Sequence, residues 1–132
     1  MLFRSCRQVA GGALLTMAVA LSSSAWAQKT PSPIFALNSL DATISVIDPV
    51  TFQEIRRIPT GKEPHHLYLS PDEKSLLVAN ALSDSLTLVD PKTGQVQRVI
   101  EGISDPYQLR FSPDMKWFIT AGNRLDHVAL YR

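Results

Sequence analysis

The feature that most restricts how this chain can fold is a repeat of fixed period. Pro64 is followed 42 residues later by Pro106, Leu69 by Phe111, Ser70-Pro71-Asp72 by Ser112-Pro113-Asp114, and Lys74 by Lys116. The flanks keep the same register: Asn38 pairs with Asn80, Asp48-Pro49 with Asp90-Pro91, and Ile44 with Leu86 and then Val128. A constant period without insertions means that one supersecondary unit is used again and again.

Between the repeated turns lie short runs rich in Val, Ile, Leu and aromatic residues. Asp-Pro, Ser-Pro-Asp, Thr-Gly and Asn separate them, which are turn signals with a backbone mechanism. Ten strands are predicted: Ile34–Asn38, Thr43–Asp48, Glu54–Pro59, His65–Ser70, Ser75–Asn80, Ser85–Asp90, Gln95–Glu101, Tyr107–Ser112, Trp117–Ala121 and His127–Tyr131. Past the N-terminal region no stretch has the 3.6-residue periodicity of an amphipathic helix, so the fold class is all-β. Four strands per 42 residues is the spacing of β-propeller blades made of four antiparallel strands, here labelled A to D from the centre outward. Residues 34–132 then read as a partial β-propeller: one complete blade and two incomplete ones, the first lacking A and the last lacking D. Such a piece is expected to belong to a longer ring.

The N-terminus reads differently. Arg4 and Arg7 precede an apolar run from Val9 to Leu21, and Ala25-Trp26-Ala27 places small residues before Gln28. This is the pattern of a secretory signal peptide, residues 1–27, cut between Ala27 and Gln28. A membrane anchor is the competing reading, but the run is too short for a hydrocarbon core of about 30 Å. Cys6 lies before the run, which does not suit a lipoprotein. Residues 28–33 form an extended linker. The expected location is the periplasm or the cell exterior, with no membrane anchor after removal of the leader.

Cys6 is the only cysteine, so the processed chain could form neither a disulfide nor a thiolate metal site. Of 13 Lys+Arg, removal of Arg4 and Arg7 leaves 11 against 12 Asp+Glu, a net charge of −1. With no basic run, nucleic acid is not an evident partner. No Gly-x-Ser-x-Gly, Gly-x-Gly-x-x-Gly, His-Glu-x-x-His or phosphate loop occurs, so catalysis is not favoured and no cofactor is evident.

Most of the acids have a structural task. Asp48 and Asp90 are placed to bond their own downstream backbone ahead of a proline, and Ser-Pro-Asp serves the corner between strands A and B. Asn38, Asn80 and Asn123 stand where strand B breaks, where asparagine tolerates a left-handed backbone.

The segments Phe35-Ala36-Leu37-Asn38, Leu77-Val78-Ala79-Asn80, Ile44-Ser45-Val46-Ile47-Asp48 and Pro64-His65-His66-Leu67-Tyr68-Leu69-Ser70-Pro71-Asp72 resemble the YVTN-type β-propeller repeat. The resemblance covers Ile34 to Arg132. Glu73 and Met115 stand where that repeat has a glycine, and Leu-Val-Ala-Asn replaces its tetrapeptide. The resemblance implies a periplasmic or surface-layer propeller, with more distant similarity to the haem d1 propeller of nitrite reductases and the heavy subunit of methylamine dehydrogenase. It is specific for fold and weak for activity.

In a propeller the D–A and B–C loops share one face, around the mouth of the central channel. Here they gather Lys62, Glu63, His65, His66, Asp41, Asp84, Asp105, Tyr107, Asp126 and His127, including all three histidines. Lys62, His66, Tyr107, Gln108 and His127 are the candidate ligand contacts at this face, for an unidentified small molecule or protein. Adjacent His65 and His66 should point to opposite sides of a strand, which disfavours a shared metal. Alternation then predicts that His65 begins a buried row with Leu67 and Leu69, whereas His66 and Tyr68 lie in the other row. The expected function is an exported binding scaffold. The alternative is a redox-associated propeller resembling cytochrome d1 or amine dehydrogenase subunits.

Overall fold

A computed structural model describes residues 31–132. The predicted leader, residues 1–27, its cleavage point at Ala27 and Gln28, and the first half of the linker, residues 28–30, lie outside them. All ten strands form, in the order β1 (Ile34–Asn38), β2 (Thr43–Ile47), β3 (Glu54–Pro59), β4 (Pro64–Leu69), β5 (Leu76–Asn80), β6 (Ser85–Val89), β7 (Val96–Glu101), β8 (Gln108–Phe111), β9 (Phe118–Ala121) and β10 (Val128–Tyr131). They make three antiparallel meanders: β1-β2-β3, β4-β5-β6-β7 and β8-β9-β10. The middle sheet is the complete four-stranded blade. Most ends are trimmed by a residue or two, because Asp48, Ser70, Asp90 and Ser112 turn away to serve the corners. One short 3-10 turn, Ala81–Ser83, adds the only helical element among the described residues.

The sheets stack face to face through two apolar layers. Ile44, Val46 and Ile58 of the first blade meet Val78 and Val89 of the second. Leu77, Ala79, Leu86 and Leu88, from the other side of the second blade, meet Ile103 and Leu109 of the third. Successive residues of β5 feed opposite layers, which is why Leu76 to Ala79 is apolar without a break. An aromatic series, Tyr68, Phe111, Phe118 and Tyr131, runs along the second layer with centroid spacings of 5.8, 5.2 and 5.8 Å. Tilted rings at such spacings add attraction beyond area burial.

The corners repeat as regularly as the strands. Asp48 accepts from the amides of Val50 and Thr51, and Asp90 from those of Lys92 and Thr93, all at 2.8–2.9 Å. These bonds hold both carboxyls below their ordinary pKa. Ser70 donates to Asp72 and Ser112 to Asp114 in the same way. Backbone φ is positive at Ala42, Asp84 and Asp126, at Glu63 and Asp105, and at Glu73 and Met115, each set in 42-residue register. The last pair accounts for the glycine that the resembled repeat carries there, since glycine takes positive φ without steric cost.

Two expectations need correction. Asn80 is not left-handed: it has φ −103° and ψ 90°. It is wholly buried, and its Nδ2 donates to Ser85 Oγ at 3.2 Å and Thr87 Oγ1 at 3.0 Å. Asn38 makes the same pair of bonds to Thr43 and Ser45. The left-handed residue is Asp84, at the far end of the turn. In the third blade the matching position is Gly122 rather than Asn123. The second correction concerns β4. Its register shifts between Pro64 and His66, so His65 sits in a bulge that breaks alternation. His65 is exposed instead of buried, and Leu69 is 42% exposed, while Leu67 does pack into the first layer.

Candidate functional site

The site is built where two inner edge strands meet. β4 and β8 each end a sheet on the inner side, and they are neighbours across the boundary between the second and third blades. Pro64 and Pro106, both buried, fix the approach of the chain to each strand. The D–A and B–C loops do cluster: Ser39 Oγ donates to the Pro64 carbonyl, the Lys62 amide to Ser83 Oγ, and the Asp105 amide to Asp84 Oδ1.

The bulge at His65 turns its ring onto Tyr107, with centroids 3.9 Å apart and a 35° tilt. These two residues are 42 positions apart, so the repeat itself places one beside the other. His66, half-buried, meets Arg110 of β8, whose Nη1 lies 2.7 Å from His66 Nε2. A guanidinium can only donate, so Nε2 accepts and the proton of the neutral ring is on Nδ1. Burial first, then the charges of Arg110 and His65, hold the His66 pKa below the usual histidine value. Arg110 also donates to the Leu109 carbonyl at 2.9 Å and lies over the Tyr68 ring, 5.2 Å from its centroid.

His65, His66 and Tyr107 therefore form one wall, next to exposed Gln108 at the start of β8. Lys62 is elsewhere. It lines a hollow of about 380 Å³ between the first and second blades, with Ser39, Leu40, Asp41, Glu63 and Leu82. His127 is separate again, in the B–C turn of the third blade. Its Nδ1 is buried without a hydrogen-bond partner among the described residues, close to Gly122 and Asp105. Asp105 is itself 1% exposed, and its Oδ2 accepts from the amides of Arg124 and Leu125. Arg110 was missed by sequence reasoning. The available signal was the repeat: its counterpart 42 residues earlier is Tyr68, so a cation replaces an aromatic residue on an inner strand. Among the described residues no group of three or more His, Cys, Asp or Glu is close enough to hold a metal ion, and no helix is long and apolar enough to cross a membrane.

The family model described as "YNCE-like beta-propeller" matches residues 6–132. Among solved structures, hydrazine synthase from Kuenenia stuttgartiensis is similar with a TM-score of 0.62 and 24% identity, over 76% of this chain and 29% of that one. Dihydro-heme d1 dehydrogenase NirN, in complex with DHE, has a TM-score of 0.59 and 21% identity, over 75% of this chain and 21% of that one. A functionally unknown protein from Desulfotomaculum acetoxidans DSM 771 gives 0.61 and 17%, over 76% and 33%. The chain thus spans about a third or less of each of these structures, and at these identities the likeness is one of fold. No match was found among curated proteins.

Proposed function

The chain belongs to the YNCE-like beta-propeller family, and from that premise we propose that it is an exported binding scaffold whose ligand meets the wall formed by β4 and β8. The observation that carries this reading is the His66–Arg110 contact beside the His65–Tyr107 ring pair. Four side chains able to bond or stack converge there, on strands held by two buried layers. Sites of this kind combine apolar surface with a few placed polar groups. Lys62, in the hollow between the first and second blades, and His127, in the third-blade turn, stand apart from this wall and are not assigned to it. One of the similar structures is named a dehydrogenase, but likeness of fold alone does not carry its chemistry to this chain.

Mapping amide and side-chain NMR shifts during titration with small neutral, cationic and anionic compounds tests the reading. Saturable shifts confined to His65, His66, Tyr107, Gln108 and Arg110 are expected. Binding that maps only to the outer corners would overturn it. Export is checked by mass spectrometry of the secreted or periplasmic product: a chain starting at Gln28 supports it, and a retained Met1 contradicts it.

A further inference from the structure

We propose that this wall takes an organic carboxylate, held on the open edge of the Arg110 guanidinium with its apolar part against the His65 and Tyr107 rings; the inference rests on the wall being the binding site. Arg110 is an exposed cation and, like most of the described cations, has no ion-pair partner among the described residues; what sets it apart is how it is held. Neither β4 nor β8 contains an aspartate or glutamate. Asp105, the one buried acid among the described residues, already accepts from two backbone amides.

The guanidinium is also held in place. Nη1 is committed to His66 Nε2 and the Leu109 carbonyl, and the guanidinium carbon lies over the Tyr68 ring, 5.2 Å from its centroid. That leaves the Nε–Nη2 edge without a partner among the described residues. Two parallel N–H groups on one edge match the two oxygens of a carboxylate. Because the side chain is already fixed by three contacts, little rotamer freedom remains to be lost on binding. His66 is a positioning residue here: as a neutral acceptor it orients Arg110 without competing for the ligand. The exposed His65 and half-buried Tyr107 pair with each other next to His66, so a ligand that reaches from the guanidinium past His66 would meet stacking surface there.

Titration of the chain with acetate, benzoate, benzamide and phosphate at constant ionic strength tests this, read by NMR shifts of the wall and by calorimetry. Benzoate is expected to bind most tightly. Arg110→Gln should weaken it by about tenfold to a hundredfold, and Arg110→Lys, which keeps charge but not the fork, by about tenfold. Tyr107→Ala should weaken benzoate while leaving acetate unchanged. Arg132→Gln, on the last residue of the chain, should change neither. Benzamide binding as tightly as benzoate would overturn the carboxylate inference and leave the binding wall standing, as would phosphate binding more tightly than benzoate. Absence of saturable shifts at the wall with every probe would overturn both.

Discussion

Replacing Gly122 by alanine separates this structure from one in which the third blade merely repeats the others. In extended backbone, Gly→Ala ordinarily stabilises by about 0.4–1 kcal/mol, because it removes freedom from the unfolded chain. Here the added Cβ would stand 2.6 Å from Asp105 Oδ2 and 2.9 Å from His127 Nδ1. Asp105 cannot give way cheaply, since the same Oδ2 accepts from the Arg124 amide at 2.6 Å and the Leu125 amide at 2.8 Å. Overpacking of this kind costs about 1–3 kcal/mol. The sign is therefore reversed, with a net loss of about 1–2 kcal/mol and a Tm lowered by about 5–15 °C for a domain of this size. Thermal and urea melts followed by circular dichroism measure it. The double variant Gly122→Ala/His127→Ala should regain part of the loss. A single variant that melts at or above the parent temperature would refute the packing described for this turn.

Asn80→Ala should cost about 1–3 kcal/mol in urea melts, because it leaves the buried Ser85 and Thr87 hydroxyls without their donor. Asn38→Ala, in a part-buried copy of the network, should cost less. Acid should destabilise the chain: Asp48, Asp72, Asp90 and Asp114 have depressed folded pKa values, so their contribution is present above the unfolded carboxyl value of about 4 and is lost as pH falls through the folded values. His66, also depressed, acts in the same direction from about pH 6.5 downward, and a Tm profile that rises on acidification would contradict both. Val128 and Leu130, 63% and 61% exposed on the edge strand β10, should drive self-association, and Leu130→Lys should raise the monomer fraction in sedimentation velocity.

Strand number, order and corner chemistry were legible because each depends on short-range pattern: period-two alternation, Asp-Pro, Ser-Pro-Asp. The bulge was not. His65 lies in a run that alternates as well as any other, and only the pairing of Pro64 with Asn80 and His66 with Ala79 reveals the extra residue. Nor was the asparagine network legible. The sequence suggests a backbone role for Asn38 and Asn80, whereas their side chains bond across the hairpin to hydroxyls five and seven residues on. The strict register held the clue, since Thr43 and Ser45 recur as Ser85 and Thr87 and then change to His127 and Ala129, just where Asn gives way to Gly122. The site was half legible. The repeat places His65 beside Tyr107, but that Arg110 reaches His66 depends on how two adjacent blades stack.

That contact is the centre of the account, and the protonation state of His66 tests it most directly. Two-dimensional NMR of the imidazole nitrogens, in the parent and in Arg110→Gln, distinguishes the tautomers. The structure predicts a neutral ring with its proton on Nδ1 and Nε2 accepting, a pKa below the ordinary histidine value, and an upward move of that pKa when Arg110 is removed. An Nε2-protonated ring, or a titration indifferent to the loss of Arg110, would contradict it.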